Sequence, residues 1–118
     1  MISRSRLALL IVAVAVVALV AACGGGRGDP NSSPVATTTV SMKDSEFKPS
    51  HISVDAGATV TWTNDDSYPH DVAITGGAKS PIIEAGATYE TTFAEAGVFD
   101  YECTLHPGMV ARVTVGGG

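Results

Sequence analysis

Basic residues, histidines and cysteines are all scarce in this chain of 118 residues. It has 7 lysines and arginines against 12 aspartates and glutamates, and therefore a formal net charge of −5 at pH 7. Such an acidic chain is a poor partner for nucleic acid, whose phosphates it would repel. Its 3 histidines are too few for the several histidine-rich clusters of a multi-site metalloenzyme. Its 2 cysteines allow no more than one disulfide, which excludes a disulfide-rich scaffold.

The only long apolar run in the sequence lies near the N-terminus, at residues 7–20. Arg4 and Arg6 precede it, and the small residues before Cys23 form a cleavage site of the kind found in export signals. The run has about 14 residues, which is short for a transmembrane helix of roughly 20, although a signal anchor remains the alternative. We therefore predict that residues 1–22 are a signal peptide and that the chain is exported.

Cys23 occupies the first position after the predicted cleavage site, in the sequence Val-Ala-Ala-Cys. This sequence resembles the lipobox of bacterial lipoproteins, which implies that Cys23 carries a diacylglyceryl group. Residues 23–36 are rich in Gly, Pro and Ser and predict a flexible tether with a reach of about 20 Å. We expect an anchor at the outer face of the cytoplasmic membrane, in the periplasm or cell-wall space. A disulfide between Cys23 and Cys103 is the alternative, but it would tie the folded domain to a glycine-rich tail.

Residues 37–116 alternate between apolar and polar side chains over short stretches and show no helical period. The apolar positions of this alternation include Ile52, Val54, Val60, Trp62, Val72, Ile74, Phe99, Tyr101 and Cys103. Glycine-containing turns at residues 55–57, 76–77, 84–86 and 95–97 separate the stretches. The pattern predicts an all-β domain, an antiparallel sandwich of seven or eight strands with Greek-key connections. We expect Met42, Trp62 and Tyr101 in its core.

Three metal-binding side chains follow one another closely near the C-terminus: Cys103, His106 and Met109. A thiolate, an imidazole and a thioether are together a donor set that favours copper over zinc. Pro107-Gly108 suits the centre of a type II turn, which would bring His106 and Met109 within about 7 Å at Cα. Strand alternation should point Cys103 inward, at one end of the sandwich. Such a site needs a second histidine, and His70 is a candidate.

Several further motifs accompany this cluster. They are Phe47-x-Pro49, Gly57-Ala-Thr-Val-Thr-Trp62-Thr-Asn64, Pro69-His70, Phe93-x-Glu95-Ala-Gly97 and Tyr101-x-Cys103-Thr-x-His106-Pro-x-Met109. The combination resembles the plastocyanin group of cupredoxins, and its compact Cys-x-x-His-x-x-Met spacing is similar to that of amicyanins. The resemblance implies a cupredoxin β-sandwich with one type 1 copper ion at one end. It also implies that His70, Cys103, His106 and Met109 bind the copper, with Met109 as the weak axial ligand, and that the protein carries single electrons.

The same resemblance assigns roles to the two histidines. It implies that His70 is buried and that the edge of His106 reaches the surface as the port for electrons. A small apolar patch formed by Pro69, Pro107 and Gly108 would surround that edge. It further implies that the reduced protein releases and protonates His106 in acid, with loss of activity.

One residue departs from the family pattern. The family commonly has Asn after the first copper-binding histidine, where its side chain ties two ligand loops together, and this chain has Asp71. An aspartate still accepts a hydrogen bond from the backbone near Thr104, but its negative charge would lie close to the copper. We therefore expect Asp71 to favour Cu(II) and to lower the reduction potential.

Other functions compete with electron transfer. Cys103 and His106 would be a nucleophile and a base, but they share one tight loop and no orienting or oxyanion-stabilising group is evident, which argues against an enzyme. Capture, delivery or detoxification of copper outside the cytoplasm is the stronger alternative, because the same ligands bind copper tightly whatever its use.

The remaining charged and polar residues allow two interpretations. Asp65, Asp66, Asp100 and Glu102 either form a solvated acidic face or help to steer a basic redox partner protein. His51 matches no ligand position and is expected at the surface. We expect the protein to be a monomer.

Overall fold

The computed structural model describes residues 28–117, which form nine β-strands and no helix. In chain order the strands are β1 (Val35–Ala36), β2 (Thr39–Lys43), β3 (Glu46–Lys48), β4 (His51–Asp55), β5 (Ala58–Asn64), β6 (Ala73–Ile74), β7 (Thr88–Phe93), β8 (Gly97–Glu102) and β9 (Val110–Gly116). None of these described residues lies in a helix long and apolar enough to cross a membrane. The predicted signal peptide and the predicted lipidation site at Cys23 lie outside the described residues.

The strands form two sheets that pack face to face, which confirms the predicted all-β sandwich. One sheet has the order β1-β4-β9-β8-β6 and the other the order β3-β2-β5-β7. The predicted count of seven or eight strands falls short of nine, because β1 and β6 have only 2 residues each. Two residues are too few to show an alternating pattern in the sequence.

The sheets are mixed, whereas the sequence predicted antiparallel pairing throughout. The pairs β1–β4, β4–β9 and β2–β5 are parallel. They arise because the chain crosses between the sheets, so that β5 returns beside β2 after β3 and β4. A period of two is the same in parallel and antiparallel strands, and therefore the sequence pattern does not distinguish them.

The core lies between the sheets and is centred on Trp62 of β5, which has no exposed surface. Its ring centroid is 5.9 Å from that of Tyr89, 6.5 Å from that of Phe93 and 5.4 Å from that of Tyr101. Met42 is also fully buried. The predicted core positions of Met42, Trp62 and Tyr101 are therefore confirmed.

Residues 28–36 are held against the first sheet, where the sequence predicted part of a flexible tether. Val35 and Ala36 pair with β4 as β1. The Ser50 hydroxyl donates to the Asp29 carbonyl at 2.8 Å, and Arg112 donates to the Asn31 side chain at 3.2 Å. A segment rich in Gly, Pro and Ser has little apolar surface to bury, but its backbone can still dock by hydrogen bonds.

His51 is buried, and its predicted surface position is wrong. Only 9% of the residue is exposed. The ring bonds through Nδ1 to the Ser32 carbonyl at 2.6 Å and through Nε2 to the Thr114 hydroxyl at 2.7 Å. The docked N-terminal segment supplies one of these partners, so the burial of His51 depends on a contact between residues far apart in sequence.

Candidate metal centre

The segment that joins β8 to β9 carries three of the four predicted ligands at one end of the sandwich. Cys103 follows the last residue of β8 and donates its backbone N–H to the Met109 carbonyl at 3.0 Å. Met109 in turn donates its N–H to the His106 carbonyl at 3.1 Å, and Gly108 has a φ of 84°. This is the predicted type II turn, with glycine at the position that requires positive φ.

The side chains of His70, Cys103 and His106 converge. One ligand atom from each lies within 4.8 Å of the others. Cys103 Sγ is 3.7 Å from His70 Nδ1. Cys103 and His70 are buried, His106 is partly exposed, and Met109 is buried with 3% of its surface exposed. A thiol and two imidazoles, with the thioether of buried Met109 in the same loop as Cys103 and His106, are a donor set that copper prefers.

His70 is held by three hydrogen bonds, two to Ile83 and one to Asp66. It exchanges two backbone hydrogen bonds with Ile83, from His70 N to the Ile83 carbonyl at 3.1 Å and from Ile83 N to the His70 carbonyl at 2.8 Å. Its Nε2 bonds to a carboxylate oxygen of Asp66 at 2.8 Å. In a neutral imidazole, donation from Nε2 to Asp66 leaves Nδ1 as the free acceptor. Nδ1 faces Cys103, so this is the tautomer that a metal ligand requires.

Asp66 is a functional candidate that the sequence analysis placed in an acidic surface group. Its carboxylate also accepts the backbone N–H groups of Asp44 at 2.8 Å and Ser45 at 3.0 Å. Burial raises the pKa of Asp66, but the hydrogen bonds from His70, Ser45 and Asp44 outweigh it and lower that pKa to about 2. Asp66 is therefore a buried acceptor that orients His70, and it is not available to steer a partner. The sequence signal was its position four residues before His70.

Replacing Asp66 by alanine should weaken copper binding by about 10- to 100-fold, because it removes the acceptor that fixes the tautomer and orientation of His70. Competition with a Cu(I) chelator measures the affinity, on samples whose circular dichroism shows an intact fold. Asp65→Ala is the matched control, because Asp65 is the exposed neighbour of Asp66 in the same loop. An affinity of Asp66→Ala within twofold of that control would contradict the assigned role.

Asp71 ties the His70 segment to the Cys103 segment. Its backbone N–H lies 3.4 Å from Cys103 Sγ. Its carboxylate accepts the Thr104 backbone N–H at 2.7 Å and also the Thr104 hydroxyl. The predicted hydrogen bond from the backbone of Thr104 to Asp71 is thus present.

The Cys103 thiol is held in a setting that disfavours its ionisation without metal. Burial raises the pKa of Cys103, and the Asp71 carboxylate raises it further, while backbone N–H groups of Asp71, Leu105 and His106 act in the opposite direction. The thiol must lose its proton to serve as a thiolate ligand, so metal binding at this site is coupled to proton release.

His106 lies at the surface edge of the centre. Its Nε2 is 3.3 Å from the Pro69 carbonyl. Exposed apolar residues contact its ring or flank it in the sequence, and we call them the apolar patch: Tyr68, Pro69, Leu105, Pro107 and Gly108. Tyr68 and Leu105 join the three residues expected from the sequence, since Tyr68 packs on the His106 ring and Leu105 is exposed directly before it.

The remaining acidic residues divide into two kinds. Asp100 on β8 accepts a hydrogen bond from Arg112 on β9 at 2.7 Å, which lowers the pKa of Asp100 and offsets its charge. Asp65 and Glu102 are exposed. Among the four carboxylates considered for steering a partner, these two are exposed and form no ion pair in the described part of the chain.

Comparison with known proteins agrees with this geometry. Residues 34–116 match the sequence profile of the family described as copper binding proteins, plastocyanin/azurin family. The chain is 31% identical over 104 residues to amicyanin-alpha of Methylorubrum extorquens, covering 83% of this chain and 87% of the relative. It is 33% identical over 99 residues to amicyanin of Paracoccus denitrificans, covering 73% and 76%.

Solved structures show the same fold. A purple cupredoxin from Nitrosopumilus maritimus superposes with a TM-score of 0.64 and 32% identity, over 68% of this chain and 100% of that one. The Cu(I) form of an amicyanin mutant superposes with a TM-score of 0.65 and 33% identity, over 74% of this chain and 95% of that one.

Proposed function

This chain belongs to the plastocyanin/azurin family of copper-binding proteins, and we propose that it carries single electrons on one copper ion outside the bacterial cytoplasm. Its cofactor is copper. The observation that carries the proposal is the convergence of ligand atoms from His70, Cys103 and His106 within 4.8 Å, with Met109 buried in the loop that holds Cys103 and His106. These four side chains are the proposed copper ligands.

The surroundings of the ligands suit electron transfer. Copper in such a site supplies one-electron Cu(II)/Cu(I) chemistry. The protein holds His70 through Asp66 and Ile83, and it holds the Cys103 loop through Asp71, so the ligand geometry resists change between oxidation states. His106 reaches the surface within the apolar patch. A partner can therefore approach the edge of this ligand without having to desolvate charged groups around it.

Copper reconstitution tests the proposal. We expect an intense thiolate-to-copper charge-transfer band in visible absorption and a reversible Cu(II)/Cu(I) wave in voltammetry. Absence of the band in protein that retains all four ligands would overturn it. Transfer of the copper to a competing apo-acceptor in either oxidation state would favour capture or delivery instead, whereas retention in both states supports an electron carrier.

We further propose that a lipid on Cys23 anchors the protein to the outer face of the cytoplasmic membrane, where it meets a redox partner protein. The lipobox sequence supports this location. Cys23→Ala should move the protein from the membrane fraction to the soluble fraction, as measured by immunoblot. Mass spectrometry of the unsubstituted protein should show a diacylglyceryl adduct at its N-terminus, and an unmodified Cys23 on a processed chain would contradict the anchor.

Replacing Asp71 by asparagine should raise the reduction potential. Asparagine retains the acceptor for the Thr104 N–H, and its amide can donate to the Thr104 hydroxyl, so the geometry is kept while a negative charge is removed. If the buried charge stabilises Cu(II) relative to Cu(I) by roughly 1.4 kcal/mol, its removal raises the one-electron reduction potential by about 59 mV. Voltammetry measures the shift, with Glu102→Gln as the control for loss of an exposed charge. An unchanged or lower potential would show that Asp71 does not tune the copper.

A further inference from the structure

Tyr68 lies at the surface of the metal centre and is not one of the proposed copper ligands. Its ring centroid is 5.2 Å from that of His70 and 5.3 Å from that of His106. The two imidazole centroids are themselves 4.7 Å apart. The three rings therefore form one mutually packed group. Tyr68 is 37% exposed and His70 is fully buried, so the phenol ring contributes to the cover over that imidazole.

The Tyr68 hydroxyl is held by a residue from another loop. It hydrogen bonds to the Ser45 hydroxyl at 2.9 Å. Ser45 lies in the two-residue turn between β2 and β3, where both Asp44 and Ser45 have a φ of 56°. Non-glycine residues adopt this conformation in tight hairpin turns, and it persists where surrounding contacts hold it. Ser45 therefore reaches both Tyr68 and, through its backbone N–H, Asp66.

The two imidazoles differ in how hydrogen bonds restrain them. His70 has its bond to Asp66 and its two backbone bonds to Ile83. The His106 ring has the 3.3 Å contact to the Pro69 carbonyl and is partly exposed. Ring packing against Tyr68 and His70 therefore supplies the other restraints on the His106 ring that the structure shows.

We propose that Tyr68 is a positioning residue for His106 and that the Ser45 hydroxyl holds Tyr68 in place. The phenol ring keeps the exposed imidazole aimed at the cluster, so the ligand is preorganised before metal binds and stays in place afterwards. This inference rests on the proposed copper site. A single aromatic contact of this kind contributes about 3- to 10-fold to an equilibrium.

The test uses two measurements on the chain carrying Tyr68→Ala, Tyr68→Phe, Ser45→Ala and the Tyr68→Phe/Ser45→Ala double substitution. The first is NMR of the metal-free protein, which should show contacts between the Tyr68 ring and the His106 imidazole. The second is the rate of Cu(I) loss to the chelator bicinchoninate. Tyr89→Ala is the matched control, because Tyr89 packs on Trp62 and not on the imidazoles.

We expect Tyr68→Ala to release Cu(I) about 3- to 10-fold faster. Tyr68→Phe and Ser45→Ala should each release it about 3-fold faster, because each removes one hydrogen bond. The double substitution should match either single one, because both remove the same hydrogen bond. Release from Tyr68→Ala within twofold of the unsubstituted protein, or equal to release from Tyr89→Ala, would overturn the inference. If Tyr68→Ala does not fold, Tyr68→Phe and Ser45→Ala decide. Effects of these two that add up in the double substitution, or no effect of either one on Cu(I) release, would overturn the inference.

The two proposals fail in different ways. An unsubstituted protein that takes up no copper would overturn the proposed function. In that case, NMR of the metal-free protein would still show whether the Tyr68 ring packs on the His106 imidazole, and absence of the contact would overturn the inference. Normal copper uptake with no effect of Tyr68→Ala would overturn only the positioning role.

Discussion

Replacing Cys103 by serine should abolish the visible charge-transfer band of the copper-loaded protein. The band requires a sulfur-to-copper bond, and Cys103 is the thiol within the cluster of ligand atoms. Copper affinity should also fall by about 100-fold or more, since loss of a ligand should exceed the effect of losing a residue that only supports one. Absorption spectroscopy and chelator competition measure the two effects.

Serine is a conservative replacement at this position. Its hydroxyl is smaller than the thiol and can still accept the Asp71 N–H that approaches Cys103 Sγ. Circular dichroism of the metal-free variant should therefore show the native fold. His51→Gln is the control, because His51 is the one histidine outside the cluster and its loss should leave the band intact. A Cys103→Ser protein that keeps an intense band would refute the assigned site.

Replacing Trp62 by alanine should cost about 3–5 kcal/mol of the free energy of unfolding. Trp62 is fully buried and its ring packs on Tyr89, Phe93 and Tyr101, so the truncation leaves a cavity between the sheets. Small domains have total stabilities of about 5–15 kcal/mol. Each 1 kcal/mol lowers the melting temperature of such a domain by about 4–8 °C. We therefore expect a Tm lower by at least about 12 °C in thermal denaturation of the metal-free protein.

Two comparisons complete this test. Thr61→Ala changes a partly exposed neighbour on the same strand and should alter the unfolding free energy by less than about 0.5 kcal/mol. Copper should recover part of the stability of the Trp62 variant, because a ligand that binds only the folded state stabilises it. A Trp62→Ala protein that loses less than about 1 kcal/mol would show that the core closes around the missing ring.

The order of the ligands along the chain could be read without a structure. The run from Cys103 to Met109 contains three proposed ligands, and a Pro-Gly turn joins the last two. This turn forms from local backbone preferences alone. The strands that flank it show a period of two, which gave the sandwich and the inward direction of Cys103. Two-residue strands and parallel pairing left no such trace, because neither changes the alternation of side chains.

The buried polar residues around the ligands and the core were harder to predict. Asp66 and His51 looked like surface residues, since aspartate is mostly exposed, histidine is only intermediate in burial, and neither position lies in a recognised motif. Asp66 is buried because the turn between β2 and β3 brings two backbone N–H groups to its carboxylate. His51 is buried because residues 28–36 fold back over the sheet. Both environments depend on partners about 20 residues away in sequence.

By itself, the sequence determined an acidic β-domain with a copper-type set of donors, because side-chain chemistry, strand alternation and the turn at Pro107-Gly108 are local properties. Tertiary structure alone decided how those donors are held. It placed His70 against Cys103, put Asp66 behind His70 and packed Tyr68 on both imidazoles. Hydrogen bonds and ring contacts between separate segments require the whole fold to bring the partners within a few ångströms, and no local pattern records that distance.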